Sequence, residues 1–232
     1  MFEDLCKQGA SLEKHGHLEQ ALNAYNNALQ VKQDDPEAWY CQGRILSKLQ
    51  MFDDALGAFN QAVQLDPDHA KAWCNLGIVL NIQERTAEAL QALDRAIGLT
   101  PDFVEAWYNR GLALRDLERY DEALACFDKA VAFKPDFNDA WYSKGLTLKY
   151  QEKYSEAVAA FDKALEIYDE DAEAWLELAK THLLKGDEKQ ALATLAKCIA
   201  NDEACKETAR TDEEFQPLHE NEQFKKMVGE PT

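Results

Sequence analysis

The tryptophans of this chain recur at one fixed interval, and that interval constrains the fold more than any other feature of the sequence. All five stand 34 residues apart, at Trp39, Trp73, Trp107, Trp141 and Trp175. Glycine follows the first four after four residues, and Phe or Leu follows all five after twenty. Self-similarity at a period of this length is typical of structural repeats that stack in an array.

Within one period, the apolar residues fall at helical spacing. Trp107, Gly111 and Leu114 stand at positions i, i+4 and i+7, and a second stripe from Ala123 to Ala130 has the same spacing. The polar stretch DLERYD separates the two stripes. Each repeat is therefore predicted to be a hairpin of two amphipathic helices joined by a short turn.

The glycine inside the first helix needs a physical reason, because it costs about 1 kcal/mol relative to alanine. The absence of a Cβ atom lets the second helix approach closely. We expect the small residues sixteen positions after each Trp, such as Ala55 and Ala157, to face the glycines.

These motifs resemble the tetratricopeptide repeat (TPR) family, in its bacterial multi-repeat form. The resemblance rests on the 34-residue period, the W-x-x-x-G and A-x-x-x-F-x-x-A patterns, and the terminal prolines Pro67, Pro101 and Pro135. It implies an all-α, right-handed α-solenoid of about six helical hairpins with a C-terminal capping segment. In such a superhelix, first helices line a concave groove and second helices form the outer face. Ala179 departs from the pattern by replacing the helix glycine.

The expected array covers residues 2–202, and the remainder, 203–232, is predicted to be a helical cap and tail. In the tail, apolar residues are interspersed with charged ones, which suits a segment that covers the last hairpin. The predicted repeats lie near 2–35, 36–69, 70–103, 104–137, 138–171 and 172–202.

Composition excludes several classes of partner. The chain has 43 acidic and 25 basic residues, a net charge of −18, so a nucleic-acid partner would be repelled. No apolar run approaches the length of roughly 18 residues that a membrane span needs, so we expect no membrane insertion and a cytoplasmic location. The six cysteines form no C-x-x-C pair, which favours reduced thiols over a disulfide framework.

No motif of catalysis is present in the sequence. Phosphate-binding glycine loops, H-E-x-x-H and G-x-S-x-G are all absent. The only local histidine pair, HGH at 15–17, has no further ligand nearby and is interpreted as a polar turn. We therefore expect no enzyme activity, no catalytic residue, no cofactor and no metal site.

The side of each first helix opposite its packing stripe is predicted to line the groove. Here the copies differ, and differences allow specificity. The predicted peptide-binding residues are Tyr40, Arg44, Lys48, Lys71, Asn75, Ile78, Tyr108, Asn109, Leu112, Arg115, Tyr142, Leu146 and Lys149. The tyrosines also fit a second interpretation, in which they only pack between adjacent hairpins.

Exposed tyrosine and aliphatic residues beside Arg and Lys suit a peptide with apolar anchors and some acidic residues. The leading hypothesis is therefore a non-catalytic protein-interaction scaffold or adaptor. A second is a co-chaperone that clamps the C-terminus of a heat-shock protein. That TPR subclass needs a lysine directly after the Trp position, and this chain has none there. Self-assembly into a larger scaffold is a third.

Overall fold

The computed structural model describes residues 1–229, so the last three residues of the predicted capping segment lie outside it. Within this range the fold is entirely helical, which confirms the predicted all-α class. The helices are α1 Phe2–Lys14, α2 Leu18–Val31, α3 Pro36–Lys48, α4 Phe52–Leu65, α5 Ala70–Ile82, α6 Thr86–Leu99, α7 Val104–Asp116, α8 Tyr120–Phe133, α9 Asn138–Tyr150, α10 Tyr154–Ile167, α11 Ala172–Leu184, α12 Glu188–Asn201, α13 Cys205–Thr211 and α14 Glu222–Val228, with a 3₁₀ helix at Glu213–Leu218.

The chain divides into two compact units, Met1–Leu117 and a second that begins at Glu118. In the first unit, α1 pairs with α2, α3 with α4 and α5 with α6, and each second helix packs on the first helix of the next pair. In the second unit, α9 pairs with α10 and α11 with α12 in the same way. Each hairpin thus buries its apolar stripe against a neighbour.

Large side chains of the partner helix fill the space beside the helix glycines. A Cβ atom at Gly43 or Gly145 would stand 2.7 Å from the ring of Phe59 or Phe161, respectively. Both rings are fully buried. At Gly77 such a Cβ atom would stand 2.7 Å from the Leu93 side chain and 3.1 Å from the backbone oxygen of Ala89, the small residue expected to face this glycine. The glycine creates room for a large side chain, Phe or Leu, twenty residues after the Trp.

The tryptophans fasten the connections between successive hairpins. Each is only half-buried, and its indole N–H donates to a backbone oxygen six residues earlier in the connecting loop. Trp141, for example, donates to the carbonyl of Pro135 at 2.9 Å. The tryptophan therefore fixes the entry of its helix as well as packing against the core.

The turn between the two helices of a hairpin has one conformation throughout. Its central residue has a positive φ, near 60° in the four inner repeats and about 80° in the two outer ones. The outer turns use Gly16 and Gly186. The inner turns hold Gln50, Glu84, Glu118 and Glu152 in this left-handed region.

The segment after α12 folds back on the last hairpin. Cys205, Phe215, Leu218 and Phe224 are buried in one cluster with residues of α11 and α12. The 3₁₀ helix contacts α11 directly. We call residues 205–228 the C-terminal cap.

A disulfide joins this cap to the last repeat. Cys198 of α12 and Cys205 of α13 are bonded, with Cα atoms 6.1 Å apart. The expectation that all six cysteines are reduced thiols is wrong for this pair. Spacing gave no sign of it, because the two cysteines meet only through the turn after α12.

Reduction of this disulfide is expected to destabilise the cap by about 2–3 kcal/mol, the loop-closure contribution of a short loop. Thermal unfolding followed with and without a thiol reductant measures the effect. The variant with both Cys198 and Cys205 replaced by alanine should unfold at one temperature in both conditions. If the reductant lowers the unfolding temperature of that variant as much as that of the wild type, the effect comes from other groups.

Candidate functional site

Neighbouring first helices contact one another and form a shared surface, which we call the groove face. In the first unit, α5 lies between α3 and α7, and in the second unit α9 contacts α11. Polar side chains bridge these helices: Asn81 donates to Asp116 at 3.1 Å, and Tyr142 donates to Glu173 at 2.8 Å. Because the chain divides into two compact units, the groove face of each is described by itself.

At the start of the first unit, two predicted groove cations are already paired. Arg44 and Lys48 bind one carboxylate oxygen of Glu13 at 2.5 and 2.7 Å. The Glu13 side chain is only 10% exposed. Burial opposes the charge of Arg44, but Glu13 and other nearby groups outweigh it and raise the pKa. These cations hold α1 against α3 and offer little free charge to a ligand.

Tyr40 belongs to the core. It is 7% exposed, and its ring lies against those of Phe59 and His69, with centroids 6.2 and 4.8 Å away. Burial raises the pKa of its hydroxyl. The structure therefore corrects the place of Tyr40 among the predicted groove residues, and the packing interpretation holds for it.

Residues of α5 leave more surface open. Lys71 is exposed and Ile78 is half-buried. The Asn75 side chain donates to the carbonyl of Lys71 within its own helix, at 2.9 Å. Ile82, one turn after Ile78, is 53% exposed and lies on the same side of the helix. This helix thus combines an open cation with exposed aliphatic surface.

On α7, the predicted residues Tyr108, Asn109, Leu112 and Arg115 are all half-buried. Asn109 donates to the carbonyl of Glu105 at 2.7 Å, which repeats the contact made by its counterpart on α5. The Arg115 guanidinium stands 3.5 Å from the carboxylate of Asp116. The asparagines therefore support their own helices, and the neighbouring side chains form the surface.

In the second unit, Tyr142, Leu146 and Lys149 line a cavity of about 530 Å³. The structure brings these three predicted residues together with others outside the predicted peptide-binding set: Tyr150, Glu152, Tyr154, Glu173, Glu177, Leu184 and Glu214. Glu173, Glu177 and Leu184 follow from the repeat, because they lie on α11, the next first helix. Glu214 does not, because it comes from the aperiodic cap.

Two lysines with largely buried side chains tie the cap to the groove face. Lys149 binds Glu177 at 3.0 Å and Glu214 at 2.7 Å, with its side chain 11% exposed. Lys180 binds Glu177 at 3.0 Å and Asp212 at 2.6 Å, with its side chain 10% exposed. Burial disfavours the charge of Lys180, but the hydrogen bonds with Asp212 and Glu177 outweigh it and raise the pKa. We call these five side chains the lysine–carboxylate cluster.

This cluster predicts how the cap responds to pH. Burial opposes the charge of Asp212, but hydrogen bonds from Lys180 and a backbone N–H hold its pKa below the usual range. Its contribution is present above the unfolded value of about 3.9 and is lost as the pH falls through the lower folded value. The contribution of Lys180 is present below about 10.4 and is lost as the pH rises through its higher folded pKa.

The difference in melting temperature between wild type and Lys180→Met isolates this contribution. It should be constant between about pH 5 and 9 and shrink toward both extremes. A constant difference down to about pH 2 would contradict the role of Asp212.

The part of the chain that the structure describes contains no group of three or more His, Cys, Asp or Glu side chains that could hold a metal ion. None of its helices combines the length and apolar character needed to cross a membrane.

Comparison with protein families accounts for nearly the whole array. Models described as tetratricopeptide repeat match residues 42–102, 104–137, 139–171 and 172–205, and one described as TPR repeat matches 14–50. The chain belongs to the tetratricopeptide repeat family. No curated protein sequence matches it significantly.

Solved TPR structures are similar to large parts of the chain. MamA is 28% identical, covers 71% of this chain and 96% of its own, and has a TM-score of 0.64. YrrB, described as a TPR protein with an unusual peptide-binding site, is 24% identical, with 78% and 93% covered and a TM-score of 0.64. PilF of Pseudomonas aeruginosa is 18% identical, with 94% and 96% covered and a TM-score of 0.78. YrrB and PilF are less than 25% identical to this chain, so their similarity shows the fold alone.

One departure from the TPR pattern lies in the sixth repeat. Ala179 replaces the helix glycine there, and the residue twenty after the Trp is Leu195. Both are fully buried in the same cluster, so the repeat packs with a methyl group at this position. An aliphatic partner does not by itself explain the alanine, because a Cβ atom at Gly77 would stand 2.7 Å from the Leu93 side chain.

Proposed function

We propose that this TPR protein is a non-catalytic interaction scaffold that binds peptide segments of partner proteins along its groove face. The observation that carries the proposal is apolar surface exposed on the first helices. Ile82, Tyr150 and Leu184 are 53%, 59% and 43% exposed. Exposed apolar side chains beside polar groups are typical of surfaces that bind proteins. The proposal includes a location in the cytoplasm.

In the first unit, the proposed partner segment has apolar anchors for Ile78, Ile82 and Leu112 and acidic residues that face Lys71 and Arg115. Lys71 is exposed, and Arg115 makes only a long contact with Asp116. An extended peptide supplies such groups from alternate side chains. The residue identities that differ between α5 and α7 would determine which peptide binds.

Affinity purification with mass spectrometry tests this proposal. The groove variant carries Ile82→Glu and Lys71→Glu, two changes at exposed positions. The matched control carries Leu65→Glu and Lys129→Glu, which change exposed residues of second helices. Helical circular dichroism should be the same for all three proteins.

Partners that bind the groove face should be recovered by wild type and control and lost with the groove variant. Replacing two contact residues of a small interface with glutamate is expected to weaken binding by about tenfold or more. If the groove variant and the control recover the same partners in the same amounts, the groove face of the first unit is not the binding surface.

A further inference from the structure

The cavity between α9 and α11 has aromatic walls. Tyr142, Tyr150 and Tyr154 line it together with Leu146 and Leu184. The Tyr150 ring stacks on Tyr120, with centroids 6.0 Å apart and planes 24° from parallel. The stacking restrains a side chain that is otherwise 59% exposed. A ligand group that enters this cavity therefore meets tyrosine rings, one of which is restrained by stacking.

The charges around the cavity are unbalanced. Lys149 is the one cation among its lining residues in the described part of the chain, against four carboxylates from Glu152, Glu173, Glu177 and Glu214. Lys149 is engaged by two of them, Glu177 and Glu214, and Lys180 behind it shares the same carboxylates and Asp212. Glu173 and Glu152 have no cation within ion-pairing distance here, so the cavity keeps a negative excess.

Glu173 has a defined position. One of its oxygens accepts the hydroxyl hydrogen bond of Tyr142 at 2.8 Å, and the residue remains exposed. A carboxylate can accept several hydrogen bonds from its two oxygens, so capacity for a ligand donor remains. A fixed acceptor beside tyrosine faces is the combination that binds a cationic side chain by hydrogen bonding and cation–π attraction.

We propose that this cavity binds a basic side chain, arginine or lysine, of the peptide that occupies the groove face. The inference rests on the proposed peptide-binding function and names the ligand chemistry of the second unit. The aliphatic stem of the basic residue would lie along Leu146 and Leu184, with its charged end near Glu173 and the tyrosine rings.

An acidic ligand does not fit the cavity. To reach Lys149, it would have to displace Glu214, which the cap holds in place because the next residue, Phe215, is fully buried. Displacing Glu177 would break its pairs with both Lys149 and Lys180. The acidic groups expected of a partner from the sequence are thereby limited to the first unit.

Nuclear magnetic resonance titration of the whole protein tests the inference. The protein carries isotope label in its tyrosine rings, and the probes are acetylated, amidated Leu-Arg-Leu and its counterparts with citrulline or glutamate in place of arginine. Citrulline keeps the shape and loses the charge. The protein variants are Glu173→Gln, which keeps an acceptor for Tyr142, and Glu156→Gln, a matched control at an exposed position of α10.

The arginine peptide should shift the resonances of Tyr142, Tyr150 and Tyr154. Its affinity should fall about tenfold with citrulline or with Glu173→Gln, and stay unchanged with Glu156→Gln. The glutamate peptide should shift none of these resonances.

Equal affinity for arginine and citrulline peptides, preference for glutamate, or no shift at these tyrosines overturns the inference. Failure of the proposed function is distinguishable, because that function is tested by natural partners and by the Ile82 and Lys71 changes in the other unit. If the Ile82 and Lys71 changes abolish partner binding but the arginine peptide shifts none of the tyrosine resonances, the peptide-binding function stands and only the assignment of a basic side chain to the cavity is wrong.

Discussion

Replacing Phe161 with alanine is expected to lower the free energy of unfolding by about 3–5 kcal/mol. The ring is fully buried and fills the space left by Gly145, where even a methyl carbon would stand 2.7 Å away. It also packs against the ring of Tyr142, with centroids 5.8 Å apart. Gly145 has no side chain that could fill the vacated volume. Chemical denaturation followed by far-ultraviolet circular dichroism measures the loss.

Phe133→Ala is the matched control. Phe133 belongs to the same unit and is 47% exposed at the end of α8. Its replacement should cost only about 1–1.5 kcal/mol, since about half of the side chain is already exposed to water. Equal losses for the two variants would show that the contact between ring and glycine is not a main source of stability.

Replacing Lys180 with alanine is expected to destabilise the C-terminal cap by about 2–4 kcal/mol. The ammonium group binds Glu177 and Asp212 at 3.0 and 2.6 Å, and the side chain is 10% exposed. Its removal leaves carboxylates together in a poorly solvated place with Lys149 as the remaining cation. Amide hydrogen exchange should become faster in residues 205–228 before it changes in α9 and α10, because repeat arrays lose structure locally.

Lys163→Ala provides the comparison. Lys163 pairs with Glu166 at 2.5 Å, but both side chains are more than half exposed. Such a pair contributes about 0–1 kcal/mol, so exchange in the cap should be unaltered. If Lys180→Ala leaves the exchange rates of the cap as slow as Lys163→Ala does, the lysine–carboxylate cluster does not hold the cap in place.

Most of the fold could be predicted from the sequence, because each hairpin repeats one packing problem. The spacing of Trp107, Gly111 and Leu114 determines which side of the first helix is buried, and the array repeats that solution. The pattern did not determine which residues of the second helix lie nearest the glycine. Periodicity alone does not distinguish a small residue at +16 from an aromatic residue at +20, since both lie on the buried side of the second helix.

The candidate site was less predictable. An offset along a helix gives the direction of a side chain but not its partner on the next helix, so the pairing of Arg44 with Glu13 and the burial of Tyr40 appear only in the structure. The cap is aperiodic, and therefore no register placed Glu214 beside Lys149 or Cys205 beside Cys198. These contacts determine the charge of the surface, which is why the side chain that we propose for the second unit is basic and not acidic.

The left-handed turns carry a conformational energy cost that differs between the inner and the outer repeats. A residue with a Cβ atom in this conformation costs roughly 1 kcal/mol relative to glycine. The outer turns avoid that cost with Gly16 and Gly186, while Gln50, Glu84, Glu118 and Glu152 incur it four times along the chain. The inner turns thus carry polar or charged side chains where glycine would adopt the same backbone at lower conformational cost, so hydrated side chains are kept at these turns at the expense of backbone energy.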